Sequence, residues 1–221
     1  MNPLVEHSVP GLHAALAEVI RDLPFINSES KILDLGAGSG AFLARLNELG
    51  YSHLAGVDLN PINLSHLNIA NYQMDLNHPN EDGIRGEFDL ITSIEVIEHL
   101  ENIGSFLDFV AAKLSRTGYF LISTPNIYSL TCRTRFLLRG TLKNFDEKGD
   151  QTHLFPVCIH TFNRCLRKRR LSVLSSWTYP KHGKSLVATV KLNFLNSILS
   201  IFLHNSLPGD SLCLMIGRDD A

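Results

Sequence analysis

Several absences narrow the field first. The four cysteines, Cys132, Cys158, Cys165 and Cys213, are scattered through the second half with no C-x-x-C pair and no zinc-like spacing. That excludes a disulfide framework and a zinc ribbon, and it suits a reducing cytoplasm. The first residues, Met-Asn-Pro-Leu-Val-Glu-His, hold neither a basic cluster nor an apolar run, so no signal peptide is expected. No internal repeat or low-complexity tract occurs. Neither charge sign dominates: 20 Lys+Arg face 22 Asp+Glu, a formal net charge of -2. A strongly basic nucleic-acid module and an acidic disordered tail are both excluded by that balance.

What is present is 221 residues, 44% of them hydrophobic, enough for one domain that buries roughly 70% of its unfolded surface without staples. The small net charge is a cancellation, with -10 over residues 1–132, +7 over 133–170 and +1 over 171–221. Leu192 to Gly209 contains no charged residue. Its polar positions Asn193, Asn196, Ser197, Ser200 and His204 recur at helical spacing beside Leu195, Ile198, Leu199 and Phe202, which reads as an amphipathic helix rather than a membrane span. Such a helix suits the core, a lid or a partner face, including a homodimer through 192–204. Peripheral membrane contact is disfavoured because the polar face lacks Lys and Arg.

Apolar runs alternate with helical patterns, as in an α/β fold with a mostly parallel sheet. Helices are expected over Leu12 to Leu23, Gly40 to Leu49, Ile103 to Leu114 and Ile159 to Arg170. A short one is expected after the Asn60-Pro61 turn, and helix followed by loop from Asn126 to Lys148. Strands are expected at Lys31 to Leu35, His53 to Asp58, Ile69 to Met74, Phe88 to Ile94 and Gly118 to Thr124. Two late strands, Leu174 to Tyr179 and Leu212 to Ile216, suit an antiparallel hairpin at the sheet edge.

The run Ile32-Leu33-Asp34-Leu35-Gly36-Ala37-Gly38-Ser39-Gly40 joins a strand to a helix. Glycines there allow a tight bend and close approach of a ligand, with amide N–H groups at the helix start expected to face it. Gly36, Gly38 and Ala41 also satisfy the dinucleotide fingerprint, which keeps a nicotinamide enzyme in view. Asp34, two residues before the first glycine, would oppose a pyrophosphate but suits a cationic ligand. Asp58, ending the second strand, suits ribose hydroxyls for either cofactor class, and Asp75 suits an adenine amine.

These segments, with Phe88 to Leu100 and Gly118 to Asn126, resemble in order the motifs of class I S-adenosylmethionine-dependent methyltransferases, nearest the ubiquinone-biosynthesis O-methyltransferase branch. The resemblance covers residues 10–180. It implies a Rossmann-like, doubly wound, seven-stranded mostly parallel sheet with an antiparallel last strand and helices on both faces. The chain then divides into an N-terminal helical cap (1–30), a cofactor-binding core (31–125), a basic acceptor-side segment (126–170) and C-terminal strands with an apolar helical insertion (171–221). It also implies that S-adenosylmethionine lies across the strand ends. Gly36, Ala37 and Gly38 would lie near its methionine portion, with Asp34 in support and Asp58 on the ribose. Leu59 would lie beside the adenine, Asp75 and Leu76 at its edge, and Ile94 and Glu95 below it.

Glu95, Glu98 and His99 stand at i, i+3 and i+4, so a helix beginning at Glu95 would project all three from one face. Their oxygen and imidazole donors suit a divalent ion such as magnesium, manganese or zinc. Some relatives, including small-RNA 2′-O-methyltransferases, use such a set with a later histidine, and His153 falls where that residue would. Acidic residues at a helix start also need no metal, being favoured by the dipole. For proton removal His153 is the first candidate and His99 the second; His160, His7 and His182 carry less motif support. Arg133, Arg135, Arg139, Lys143, Arg164 and Arg167 to Arg170 would favour an anionic acceptor, although a solvated helix face explains the last group as well. No aromatic platform interleaves with these cations, so RNA is disfavoured and DNA is not expected. The leading expectation is O-methylation of a small, anionic acceptor. N-methylation, metal-assisted RNA 2′-O-methylation and a non-catalytic cofactor-binding partner protein are the alternatives.

Overall fold

The computed structural model describes residues 4–60, 67, 69–80, 83–180 and 208–219. The apolar 192–204 segment, the short helix after Asn60-Pro61 and His182 lie outside them.

The central strands form where the sequence is apolar on both faces. These are β1 (Lys31–Leu35), β2 (His53–Asp58), β4 (Phe88–Ile94) and β5 (Leu114–Pro125), which need helical cover on either side. β3 (Ala70–Gln73) is short and mostly exposed at one edge, and its periodicity in the sequence is correspondingly faint. β6 (Leu171–Tyr179) and β7 (Ser211–Arg218) complete a sheet of order β3-β2-β1-β4-β5-β7-β6. β7 runs antiparallel between β5 and β6. The expected fold class is therefore observed.

Helices α1 (Leu12–Arg21) and α2 (Ala41–Glu48) cover one face, and α3 (Ile103–Lys113) and α5 (Ile159–Arg167) the other. Strand alternation divides the core accordingly. Ile32, Leu90 and Leu121 pack with Leu16, Ile20, Phe42 and Leu43, whereas Leu33, Ile91, Phe120 and Ile122 pack with Phe106, Val110, Phe162 and Leu166. Phe106 and Phe120 are fully buried, with ring centroids 6.1 Å apart, each contributing about 2–3 kcal/mol of apolar transfer energy.

Two strand boundaries differ from expectation. β5 starts at Leu114, not Gly118: Leu114 is fully buried and pairs with Phe88, beyond a register shift between Phe88 and Leu90. β6 starts at Leu171, and a bulge between Val173 and Ser175 turns Leu174 outward to 53% exposure. That bulge breaks the two-residue alternation on which a sequence reading of a strand depends. In the basic segment α4 (Leu130–Arg139) is capped by Ser129 Oγ, which accepts from Cys132 N at 3.2 Å, and ends at left-handed Gly140.

Strand order reverses between β1 and β4. The crevice outside the carboxyl ends of these two strands is the usual ligand position in an open α/β sheet.

Candidate active site

Five of the expected residues, Asp34, Gly36, Ala37, Gly38 and Ile94, surround a cavity at that reversal. Gly36 (φ 79°) is fixed by its neighbour as well as by its turn: a Cβ there would stand 2.4 Å from Val96 Cγ2. The glycine turn differs from expectation in one respect, because its amides are already engaged. Gly36 N and Ala37 N donate to Val57 O at 2.8 and 3.0 Å, and Gly38 N donates to Asp58 Oδ2 at 2.8 Å. The turn is thus tied to the end of β2, and its glycines supply conformation and close approach rather than free donors.

Asp34 is buried, and its Oδ1 accepts from Thr92 Oγ1 at 2.6 Å across the β1/β4 pair. Burial pushes its pKa up to about 7 despite that bond, and Asp58 adds to the rise. A carboxylate in such surroundings favours a cation beside it. Asp58 spans Gly38 N and Asn60 N, the latter at 2.9 Å, and Leu59 beside it is 62% exposed. Asp75 is exposed and closes its own turn, accepting from Asn77 N at 2.9 Å and standing 3.1 Å from His78 Nδ1. Those bonds hold its carboxyl below the usual range. The Leu76 side chain is buried in the core, so only its main chain is free to meet a ligand.

Beyond the sequence-level candidates, an N-terminal strap crosses the glycine turn. Ser39 Oγ donates to Val5 O at 2.8 Å and accepts from Val5 N at 3.0 Å, while Arg45 pairs with Glu6 at 2.8 Å. Val5, His7 and His13 line the cavity, which measures about 40 Å³. Buried His13 stacks edge-on against Phe42 and lies 3.8 Å from Glu6.

The carboxylate and histidine cluster is assembled differently from expectation. No helix begins at Glu95. It takes a left-handed φ of 55°, and a single 3-10 turn over Ile97–His99 follows. Glu95 bonds to β5, its Oε1 accepting from Ser123 Oγ at 2.9 Å. Burial pushes its pKa up to about 7, partly offset by that bond. Glu98, His99 and His153 come together instead, one ligating atom of each lying within 4.8 Å of the others. His153 is brought there by main chain, since Glu98 O accepts from Leu154 N at 2.8 Å and Phe155 N at 3.2 Å.

His99 Nδ1 lies 2.8 Å from Thr152 Oγ1 and 3.1 Å from Thr152 O, and His153 Nδ1 lies 2.9 Å from Asn144 O. A carbonyl can only accept, and the Thr152 hydroxyl donates to Asp150, so Nδ1 is the donor in each ring. The ring centroids are 4.7 Å apart. Burial, then the neighbouring His153, lowers the His99 pKa. Glu98 is fully buried, with both carboxylate oxygens lacking a hydrogen-bond partner. Thr124 eases its burial somewhat without reaching hydrogen-bond geometry. Burial and the nearby Glu95 charge hold the Glu98 pKa well above the carboxylate range.

From His153 a second cavity, of about 790 Å³, opens along α4 and the loop after it. Arg139, Lys148, Phe136, Phe145 and Leu154 are on its wall. Arg135, also on the wall, pairs with Asp146, and Lys143 pairs with Asp210. His160 stands apart, exposed on α5.

A family model described as a methyltransferase domain matches residues 8–181 of this chain. The chain belongs to the class I S-adenosylmethionine-dependent methyltransferase domains. The mitochondrial ubiquinone biosynthesis O-methyltransferase of Schizosaccharomyces pombe is 30% identical over 166 residues, covering 71% of this chain and 57% of that protein. The ubiquinone biosynthesis O-methyltransferase of Bradyrhizobium diazoefficiens is 31% identical over 102 residues, 43% and 40% of the two chains. This methyltransferase domain therefore spans about half the length of the curated relatives it matches. A crystal structure of an S-adenosylmethionine-dependent methyltransferase from Mesorhizobium loti superposes with a TM-score of 0.59 over 92% of this chain and 96% of that one, at 18% identity. That likeness is one of fold. Among the described residues no helix is long and apolar enough to cross a membrane.

Proposed function

We propose that this domain methylates an oxygen of a small anionic acceptor seated in the cavity beside His153. The observation that carries the reading is the cluster of Glu98, His99 and His153. His153 lines the second cavity, and Glu98 and His99 follow closely in sequence on Ile94, which lines the first.

S-adenosylmethionine, bound against the glycine turn, would supply an electrophilic methyl group on a sulfonium. Asp34 would balance positive charge there, and Asp58 would accept from the ribose hydroxyls. In the second cavity, Nε2 of His153 takes the acceptor's hydroxyl proton, with His99 beside it. Alignment and exclusion of water supply most of the acceleration. An oxygen acceptor is favoured over an amine because a hydroxyl must lose its proton to become a good nucleophile, and the His153 imidazole on the cavity wall can take it. Asp146, Glu147 and Asp150 share the wall with Arg139 and Lys148, but these two cations have no ion-pair partner among the described residues and favour an acceptor whose carboxylate or phosphate meets them.

Labelled methyl transfer to matched phenols with and without a carboxylate tests this. His153→Ala is expected to lower kcat by about 10²–10⁴-fold while S-adenosylhomocysteine affinity stays unchanged. Equal turnover of the uncharged phenol would remove the anionic acceptor, and an unaffected His153→Ala would remove the base.

Glu98, His99 and His153 also fit a divalent ion. A buried carboxylate without partners sits beside two imidazoles whose Nδ1 protons are held by main-chain carbonyls, the usual outer support of a metal-ligating histidine. Held by these three residues, an ion would make the acceptor hydroxyl more acidic. Added Zn²⁺ or Mn²⁺ is expected to raise the melting temperature of the wild-type domain but not of His153→Ala. An equal rise in both would mean that the ion binds elsewhere.

A further inference from the structure

Three carboxylates line the cavity beside His153, those of Asp146, Glu147 and Asp150. Asp146 pairs with Arg135. Asp150 is engaged differently, its Oδ1 accepting from Thr152 Oγ1 at 2.6 Å and from Thr152 N at 2.9 Å. Those bonds hold its carboxyl below the usual range, and an ionised carboxylate only accepts. A hydroxyl has one proton, and Thr152 spends it on Asp150. To its other neighbour it can offer only a lone pair. That neighbour is His99, 53 residues earlier in the chain, with Nδ1 2.8 Å from Thr152 Oγ1.

The bonds therefore run one way, from His99 Nδ1–H to Thr152 Oγ1 and from Thr152 Oγ1–H to Asp150 Oδ1. His153 is held otherwise. Its Nδ1 meets a main-chain carbonyl, Asn144 O, at 2.9 Å, which accepts whatever side chain stands at that position. His99 also has a carbonyl in reach, Thr152 O at 3.1 Å, but its closer contact is an oxygen whose direction depends on Asp150. Without that carboxylate the Thr152 hydroxyl is free to turn its proton toward His99 Nδ1, which moves the ring's own proton to Nε2. The choice matters because His99 stands in the cluster with Glu98 and His153. In a neutral imidazole only the unprotonated nitrogen can take a proton or hold an ion.

We propose that Asp150 is a positioning residue for His99, acting through the Thr152 hydroxyl to keep the imidazole proton on Nδ1 and the lone pair on Nε2. The use of that lone pair beside His153 rests on the methyl-transfer reading, whereas the tautomer itself does not. Asp150 also closes the turn that carries His153, since His153 N donates to Asp150 O at 3.1 Å. A role limited to that turn would disturb His153 before His99.

Long-range proton–nitrogen NMR of the full chain reads both ring nitrogens of each histidine, with His99→Gln and His153→Gln to assign the signals. It is run at about pH 8, above the ordinary imidazole pKa of about 6.5, with a chelator to keep ions off the rings. Wild-type His99 is expected as the Nδ1–H tautomer. Asp150→Ala is expected to raise the ratio of Nε2–H to Nδ1–H about 3–10-fold, the scale of one lost hydrogen bond, while His153 stays unmoved. Asp150→Asn, which keeps an acceptor oxygen, is expected to restore the wild-type ratio. No turnover is needed, so the measurement decides the proposal even where the methyl-transfer reading fails. Three results would overturn it. These are an Nε2–H ring at His99 in the wild type, a His99 ratio indifferent to Asp150→Ala, and equal movement of His99 and His153, which would make Asp150 a support of the turn alone.

Discussion

Asp34 shows how one residue links the cofactor site to the stability of the domain. Its pKa is raised from 3.8 to about 7 by burial, so the folded chain holds a proton that the unfolded chain releases near pH 4. The stabilisation from that proton is complete below pH 3.8 and is lost as pH rises through about 7. Denaturant midpoints of the ligand-free domain, measured from pH 4 to 8, should therefore fall with pH less steeply in Asp34→Asn than in the wild type. Identical slopes would mean that Asp34 is ionised throughout. A cationic ligand favours the charged carboxylate, so S-adenosylmethionine affinity should strengthen as pH rises through 7, and this dependence should vanish in the variant.

The same residue was legible in the sequence, as were Gly36, Gly38 and Asp58, because a strand-to-turn junction confines where such side chains can point. Glu95 was not. Spacing at i, i+3 and i+4 is satisfied by a helix and equally by a 3-10 turn that leaves the first residue behind, and a left-handed φ at Glu95 has no signature in the chain.

Among the elements, the parallel strands were readable because each is a continuous apolar run closed by a turn, and β6 was misplaced at its start because a bulge interrupts its alternation. The N-terminal strap was hidden for another reason. Its contacts join Glu6 to Arg45 and Val5 to Ser39, residues far apart in sequence and of ordinary surface type. The loop carrying His153 is docked by the Glu98 carbonyl, a main-chain contact that any residue pair would allow. The strap leaves a cavity of about 40 Å³, whereas sites for ligands of cofactor size hold roughly 300–1,000 Å³, so the proposed cofactor would enter only if the strap shifts. Arg45→Ala removes one tie of the strap without touching the glycine turn. Stopped-flow binding of S-adenosylhomocysteine should show faster entry and faster release in this variant, each by about 2–5-fold, the scale of an ion pair worth up to 1 kcal/mol. Unchanged rates would mean that the strap is not the barrier.

For the whole molecule, the net charge of -2 conceals an acidic half that carries the glycine turn and a segment of +7 over residues 133–170, of which Arg135, Arg139 and Lys148 line the second cavity together with Asp146, Glu147 and Asp150. This division was visible in the sequence, but its meaning was not, because Arg135 and Lys143 are spent on Asp146 and Asp210. Arg139 and Lys148 remain on the cavity wall without an ion pair among the described residues. If the two halves serve the two substrates separately, a charge reversal in one should leave the other untouched. With a soluble carboxylated acceptor, Lys148→Glu should raise KM about 5–20-fold through the altered local field. It should leave kcat within about twofold, as for a group that binds substrate and transition state alike, and the S-adenosylhomocysteine Kd should not move. High salt should narrow the KM difference, since the interaction is screened. A loss of kcat at constant KM would instead place Lys148 in the chemistry of transfer, and a parallel loss of cofactor affinity would mean that the two halves do not act independently.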